Sequence, residues 1–496
     1  MYTPVIGCGD VPKPAIDLAA AARDEMIREG FDPEFPPGTD QQMAEMRTGQ
    51  SRAPAREVKD LRHLLWSSID NDTSRDLDQI EYAERVQGGI RVLIGIADVD
   101  ARVEEGTPID RHAGREATTV YTAVRNFPML PEALSNDLTS LAENADRLAA
   151  VVEFVVSADG LIGGESAVYR ALVRNKAQLT YNGIGHWLEG RAPAPRKVAA
   201  SPELAAQLQL QDEAACALRE QRHRLGALNF DRVEAAVEMS DGHIHDVKPA
   251  VKTRASDLIE DFMVAANETI ARTLRENGVC ALRRVVKSPE RWPRIVQLAA
   301  QFGTVLPANP DSGALNAFLG TRRAADPVHY ADLSLAVLKL MGPGEYAVCR
   351  PGDREPGHFG LAASDYTHST APNRRFADLV TERHIKAMLG KGPAPYSEDE
   401  LETIARNCTI REDAARKVER VMGKRIAAVA MHSRIGQSFR AIVTGVTPSG
   451  VFVRVPDPPV EGMLVHGSHG VDVGDQIRVE LVATDEQHGY IDFARV

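Results

Sequence analysis

Cysteine is scarce in this chain and never paired. The five cysteines, Cys8, Cys216, Cys280, Cys349 and Cys408, stand far apart. That scatter excludes a disulfide framework and a zinc site built on closely spaced cysteines. Long apolar runs are also missing, and none approaches the ~20 residues needed to cross a bilayer. The first residues, with Asp10 and Lys13 among Pro and Gly, lack the apolar centre of a secretory signal. The expectation is a cytoplasmic protein with reduced thiols and no membrane contact. Internal repeats and low-complexity segments are absent. So is an excess of positive charge: the net charge is −12. That balance argues against non-specific nucleic-acid binding over an open surface, but a narrow basic channel inside an acidic shell is compatible with it.

The composition that remains, 43% hydrophobic and 26% charged over 496 residues, describes a soluble globular chain of roughly three domains. Helical periodicity covers Ile16 to Glu29, ended by Gly30-Phe-Asp-Pro33, and a second short helix is expected around Gln41 to Arg47. Gly49 to Ala55 reads as a linker. Further on, Ile90 to Ile96 and Val151 to Val156 read as strands, the second closed by Asp159-Gly160. Helices are expected over Ala255 to Asn277, Phe376 to Leu389 and Ser397 to Ala430, the first with an apolar face of Leu258, Ile259, Phe262, Met263, Ala266 and Ile270. The last segment alternates short β-rich runs, Phe439 to Val446, Val451 to Val455 and Gln476 to Ala483, with Pro/Gly turns, as in a small barrel of the OB type. The expected class is α+β and multidomain. It comprises a small helical module over 1–61 (a helix-turn-helix variant being one form of it), a mixed α/β domain over 62–432 and an OB-type β-barrel over 433–496.

The densest chemistry lies in Ile69-Asp-Asn-Asp-Thr-Ser-Arg-Asp-Leu-Asp78, where Asp70, Asp72, Asp76 and Asp78 crowd together. Carboxylates so close repel one another unless a cation sits between them, and a hard divalent ion is the natural one. Asp98, ending the next strand, is placed to aim a carboxylate back at the cluster. Two readings are open. Magnesium held this way serves phosphodiester chemistry. Alternatively Asp70, Asp72, Ser74, Asp76, Asp78 and Glu81 occupy the ligand positions of an EF-hand calcium loop. Arg75 stands there where the turn calls for Gly, and a strand follows in place of a helix.

An ordered series of motifs resembles the RNase II/RNB exoribonucleases. It runs through Ile69-Asp70 with Asp76-Leu-Asp78, Ile96-Ala-Asp98, Tyr121, Pro128 to Ser135, Ala177 to Tyr181 and Gly226 to Phe230. It continues through Leu258-Ile-Glu260-Asp-Phe-Met263, His358 to Leu361 and Tyr366 to Asp378. The C-terminal segment is similar to the S1 RNA-binding barrel through Ser449-Gly-Val-Phe452-Val and Glu461 to His466. The resemblance implies processive 3′→5′ hydrolysis of single-stranded RNA to nucleoside 5′-monophosphates in RNA turnover, by a monomer using one or two Mg²⁺ ions, with Mn²⁺ as a substitute. It implies metal ligation by Asp70, Asp76 and Asp78, with Asp78 and Asp76 catalytic. A fourth aspartate belongs directly after Asp78, where this chain has Gln79, whose uncharged amide oxygen is the expected fourth ligand, with Asp72 as the alternative.

The resemblance also assigns Arg374 to the scissile phosphate, as both a catalytic and an RNA-binding residue. Tyr121, Tyr181, Phe230, Glu260, Arg375 and Glu419 are implied on the RNA, and Phe452 and His466 on the face of the barrel. Two cold-shock barrels usually precede such a nuclease domain. The helical reading of 1–61 instead implies a shorter collar, and an enzyme that works closer to duplex RNA before stalling. The rival functions are a catalytically impaired RNA-binding protein on the same scaffold, a calcium-binding acidic loop protein, a translation-associated RNA-binding protein and a DNA-directed nuclease.

Overall fold

The computed structural model describes residues 16–48, 58–230, 235–240, 243–250, 252–327, 329–353 and 357–496. The expected linker at 49–55, and Cys8, Asp10 and Lys13, lie outside the described residues. Six strands form the central sheet, in the order Lys59–Asp60, Ile162–Thr180, Trp66–Asp70, Gln79–Val86, Gly89–Ala97 and Asp146–Val156. The 19-residue strand Ile162–Thr180 binds both edges of this arrangement. Its first part runs antiparallel to Asp146–Val156, and its last six residues run parallel to Trp66–Asp70. Trp66–Asp70 and Gln79–Val86 are antiparallel, with Ser67 opposite Glu81. The aspartate segment is thus the connection between two neighbouring strands, and it opens at the sheet's end.

Side chains alternate across a strand, so each face of this sheet builds its own core. Leu77, Ile80 and Leu93 pack with Met129, Leu130, Leu379 and Val380. Ile69, Ala83, Ile94 and Ile96 pack with Leu208, Leu258, Phe262 and Ile270 from the helices Pro202–Arg224 and Arg254–Glu276. The second of these helices begins with a reciprocal cap, Thr253 and Ser256 each satisfying the other's backbone N–H. The same device, Ser397 with Glu400, starts the 35-residue helix Glu398–His432, whose first turn carries Glu398, Asp399 and Glu400 against the helix dipole.

That long helix organises the rest of the chain. Its middle packs Ala415, Val418 and Met422 against Ala22, Met26 and Phe31 of the N-terminal segment. The helices Leu18–Arg28 and Thr39–Thr48 correspond to the two expected from sequence, and they use different supports. The first joins the long helix, whereas Met43 of the second joins the core that includes Ile109 and Ala113. At its far end, Ala428 and Met431 enter the core of the C-terminal barrel. The barrel closes in the order Ser438–Thr447, Gly450–Pro456, Pro459–His466, Tyr490–Arg495 and Gln476–Asp485. Val451, Val453 and Val455 point into it, which turns Phe452 and Arg454 outward. The cysteines 216, 280, 349 and 408 form no disulfide among the described residues. Among the described residues no helix is long and apolar enough to cross a membrane.

Candidate active site

Asp78 sits where the strand Gln79–Val86 begins, and its backbone oxygen already accepts from Ala97 in the sheet. Its side chain is fully buried and turned toward residues 371–375, which lead into the helix Phe376–Leu389. One carboxylate oxygen accepts from the Asn373 backbone N–H at 3.1 Å, and the other lies 3.5 Å from Nε of Arg374. Burial drives the Asp78 carboxyl up to about 7 against the pull of Arg374, and Asp76 and Asp378 push the same way. Asp70 is also raised, chiefly by burial, although the Asn71 N–H and the Ser74 hydroxyl donate to it. Burial with too few positive partners thus holds both carboxyls toward their neutral form.

Arg374 is held in place from behind. Asp378, wholly buried, accepts a two-pronged bond from Arg375 at 2.8 and 2.7 Å and a third from the Ala371 N–H at 2.8 Å. This fixes the turn that presents Arg374, while Thr139 donates to the Asn373 amide oxygen at 2.6 Å. Asn373 was noted from sequence only as a departure from the family's usual aliphatic residue, and Asp378 and Thr139 were given no role. The signal for the first two was their place inside the motif Tyr366 to Asp378. Arg375 was expected on RNA; in the structure its guanidinium is forked onto buried Asp378, although the side chain keeps some exposure at the cavity that Arg374 also lines.

Tyr121, 39% exposed, stands beside the carboxylates. Its hydroxyl donates to Asp76 at 3.3 Å, and its backbone N–H donates to Glu419 at 3.2 Å. Tyr121, Arg374, Arg375 and Glu419 line a cavity of about 190 Å³, with Tyr346 and His368 in its wall. A larger cavity, about 840 Å³, adjoins it at Arg416 and holds Phe230, Arg284, Arg420 and, from the barrel, Arg454. Of these arginines, Arg454 pairs with Asp332 at 2.6 Å and Arg284 with Glu412 at 2.8 Å. Tyr181 begins the helix Tyr181–Leu188, and its hydroxyl is raised by burial and by Asp70 and Glu81. Glu260 is drawn instead into an exposed ion pair with Lys252 at 2.7 Å. Phe452 and His466 are exposed on the barrel.

Three expectations change. Asp98 does not face the cluster: Arg170 holds it at 2.7 Å and Lys386 at 2.8 Å, inside a separate ionic network. The calcium loop does not form, because its twelfth position, Glu81, is a wholly buried strand residue opposite Ser67. Gln79 does not join the other ligands. Alternation turns it to the Ile69–Ile94–Ile96 side while Asp78 faces the other.

Whether the remaining residues suit a divalent ion is a question of donors and charge. Among the described residues, no three His, Cys, Asp or Glu side chains are gathered into a metal-binding group. The donor chemistry nonetheless fits: Asp70, Asp76 and Asp78 offer hard oxygens on one short segment. The burial and mutual repulsion that raise Asp70 and Asp78 are what a cation would relieve.

The RNB domain family model matches residues 58–391, and the model for the RNase II-type exonuclease C-terminal S1 domain matches 437–496. The chain belongs to the RNB family. Ribonuclease R of Escherichia coli (strain K12) is 31% identical over 449 residues, covering 88% of this chain and 54% of that protein. The chain spans about half the length of the curated relatives it matches. Among solved structures, Mycoplasma genitalium RNase R in complex with ribose-methylated single-stranded RNA superposes with a TM-score of 0.87 at 21% identity, over 97% of this chain and 78% of that one. Yeast Ssd1, a pseudonuclease, has a TM-score of 0.70 at 17% identity, over 95% of this chain and 58% of that one. The fold alone therefore does not separate a nuclease from a pseudonuclease, and the side chains must.

Proposed function

We propose that this chain is a processive, hydrolytic 3′→5′ exoribonuclease that releases nucleoside 5′-monophosphates from single-stranded RNA and acts as a cytoplasmic monomer. The observation that carries the reading is the pairing of buried Asp78 with Arg374 at the edge of a cavity walled by Tyr121 and Glu419. In this reading the chain divides as 1–61, 62–432 and 433–496, with the central part carrying the chemistry and the barrel receiving RNA through Phe452 and His466.

Asp70, Asp76 and Asp78 would hold Mg²⁺, or Mn²⁺ in its place. Bound there, the ion would supply Lewis-acid activation of water and charge stabilisation at the phosphate. The chain's own side chains do the positioning. Arg374, with its planar fork, takes the phosphate oxygens and leaves Asp78 as the phosphate enters. Tyr121 stacks on a base near the 3′ end, and Glu419 fixes its backbone so the ring stays at the wall. Phe230 offers a second ring in the adjoining basic cavity, where Arg284, Arg416, Arg420 and Arg454 accompany the phosphates. Stacking tolerates any base, which suits a processive enzyme. Tyr181 lies near the 3′ end, and Glu260, once released from Lys252, accepts from a 2′-hydroxyl to favour RNA over DNA.

A specific observation favours a second reading, a catalytically impaired RNA-binding protein. Gln79 carries no charge and faces away from Asp78. One experiment separates the two: single-stranded RNA and DNA, each labelled at the 5′ end, incubated with Mg²⁺. The nuclease converts the RNA to a very short 5′ end product and spares the DNA. Intact RNA at every Mg²⁺ and Mn²⁺ concentration leaves the binding protein.

A further inference from the structure

Tyr121 and Glu419 line the cavity, and each follows a wholly buried valine in the chain. Val120 and Val418 share one core with Phe127, Ala415 and Met422. In the short hairpin of Val120–Tyr121 and Asn126–Phe127, alternation sends Val120 and Phe127 inward and Tyr121 outward. On the long helix Glu398–His432, Ala415, Val418 and Met422 recur at helical spacing and leave Glu419 at the cavity's edge. The other buried members of that core are Ala22, Met26 and Phe31 of the N-terminal segment. Polar contacts fix this segment to the long helix. Buried Glu25 lies 3.6 Å from Arg425, Glu29 pairs with Lys417 at 2.6 Å, and the Gly30 carbonyl accepts from Arg411 at 2.6 Å. On its other side the hairpin is tied to the phosphate loop, where the Thr119 N–H donates to the Arg374 backbone oxygen at 2.9 Å. A void opened at Met26 is relieved by movement of its neighbours, and a strand of two residues has little ladder of its own to resist.

We infer that the N-terminal segment is a working part of the RNA site: Met26 and Phe31 are positioning residues that hold the Tyr121 ring at the cavity wall. They act through the core that Val120 enters and not by contact with RNA. The inference rests on the reading of Tyr121 as a ring that stacks on RNA.

A double-mutant cycle on the full chain tests it, read as the affinity for a labelled single-stranded RNA by anisotropy in a chelator, at equal folded concentration. Tyr121→Ala must first weaken binding; if it does not, the stacking reading fails and this inference goes with it. Given that loss, Met26→Ala is expected to weaken binding about fivefold, part of what losing a stacking ring costs. It should add nothing when Tyr121→Ala is already present. Met26→Leu, which nearly keeps the volume, should bind like the wild type. So should Met43→Ala, the same change in the other N-terminal helix and in a different core. Phe31→Leu takes the place of Met26→Ala if that protein does not fold, and the same pattern is expected of it. Unaltered affinity in the folded variant would overturn the proposal, as would an equal loss with and without the Tyr121 ring. An equal loss in Met43→Ala would also overturn it, by marking a general loosening of the fold.

Discussion

Two acidic regions flank the same sheet and are treated in opposite ways. Asp98, Asp100 and Asp110 are bound by Arg170, Lys386 and Arg383 through contacts of 2.7 to 2.9 Å, with little exposure on any side chain. Burial alone would raise Asp98, yet Lys386, Glu382 and Arg170 together hold it below the usual carboxylate range. Asp70, Asp76 and Asp78, by contrast, have one nearby guanidinium, half-exposed Arg374, and the carboxyls of Asp70 and Asp78 are left raised. Balanced charge ties the helix Phe376–Leu389 to the sheet. Unbalanced charge keeps a place open for something the chain does not itself provide. Acidity marks both regions, and only the counting of partners separates structure from chemistry.

The largest expected effect breaks the balanced region. Asp98→Ala leaves Arg170 without its anion and Lys386 with Asp100 alone, and should destabilise the fold by about 3–5 kcal/mol. Denaturant unfolding measures this, and the fraction that stays folded should still bind Mn²⁺ like the wild type. Next, Asp78→Asn should cut RNA hydrolysis by on the order of 10²–10³-fold, the cost typical of groups that serve transition-state charge. The melting temperature should hold or rise, because the raised, buried carboxylate contributes no stability. Tyr121→Ala should weaken single-stranded RNA binding by about 1–3 kcal/mol in a filter or anisotropy assay, with little change in stability. The smallest effect is at the rim. Lys252→Met, which releases exposed Glu260, should change stability by less than about 1 kcal/mol and show chiefly in the RNA-to-DNA preference.

The helices were legible because their signals are local. Ser397 with Glu400 announces a start, and the apolar spacing from Leu258 to Ile270 announces a buried face. The barrel was legible from its turns. Asp98 was misread because its direction is decided by Arg170 and Lys386, which lie far away along the chain. Gln79 was readable in principle, since a residue adjacent to Asp78 in a strand must face the other way. Glu81 was noticed only as a calcium-loop position; that it is wholly buried depends on the pairing of its strand with Trp66–Asp70, which sets it opposite Ser67. The clamp of Arg375 on Asp378 is three residues long, and it was hidden by the expectation that every arginine of the motif meets RNA.

The account turns on whether the unbalanced charge at Asp78 is there for catalysis. The direct measurement compares wild type and Asp78→Asn at equal folded concentration, on 5′-labelled single-stranded RNA with Mg²⁺, with RNA affinity measured on the same samples. The account predicts rapid shortening by the wild type, and a variant that binds RNA with unaltered affinity while leaving it essentially intact. A variant that degrades RNA at the wild-type rate would contradict it.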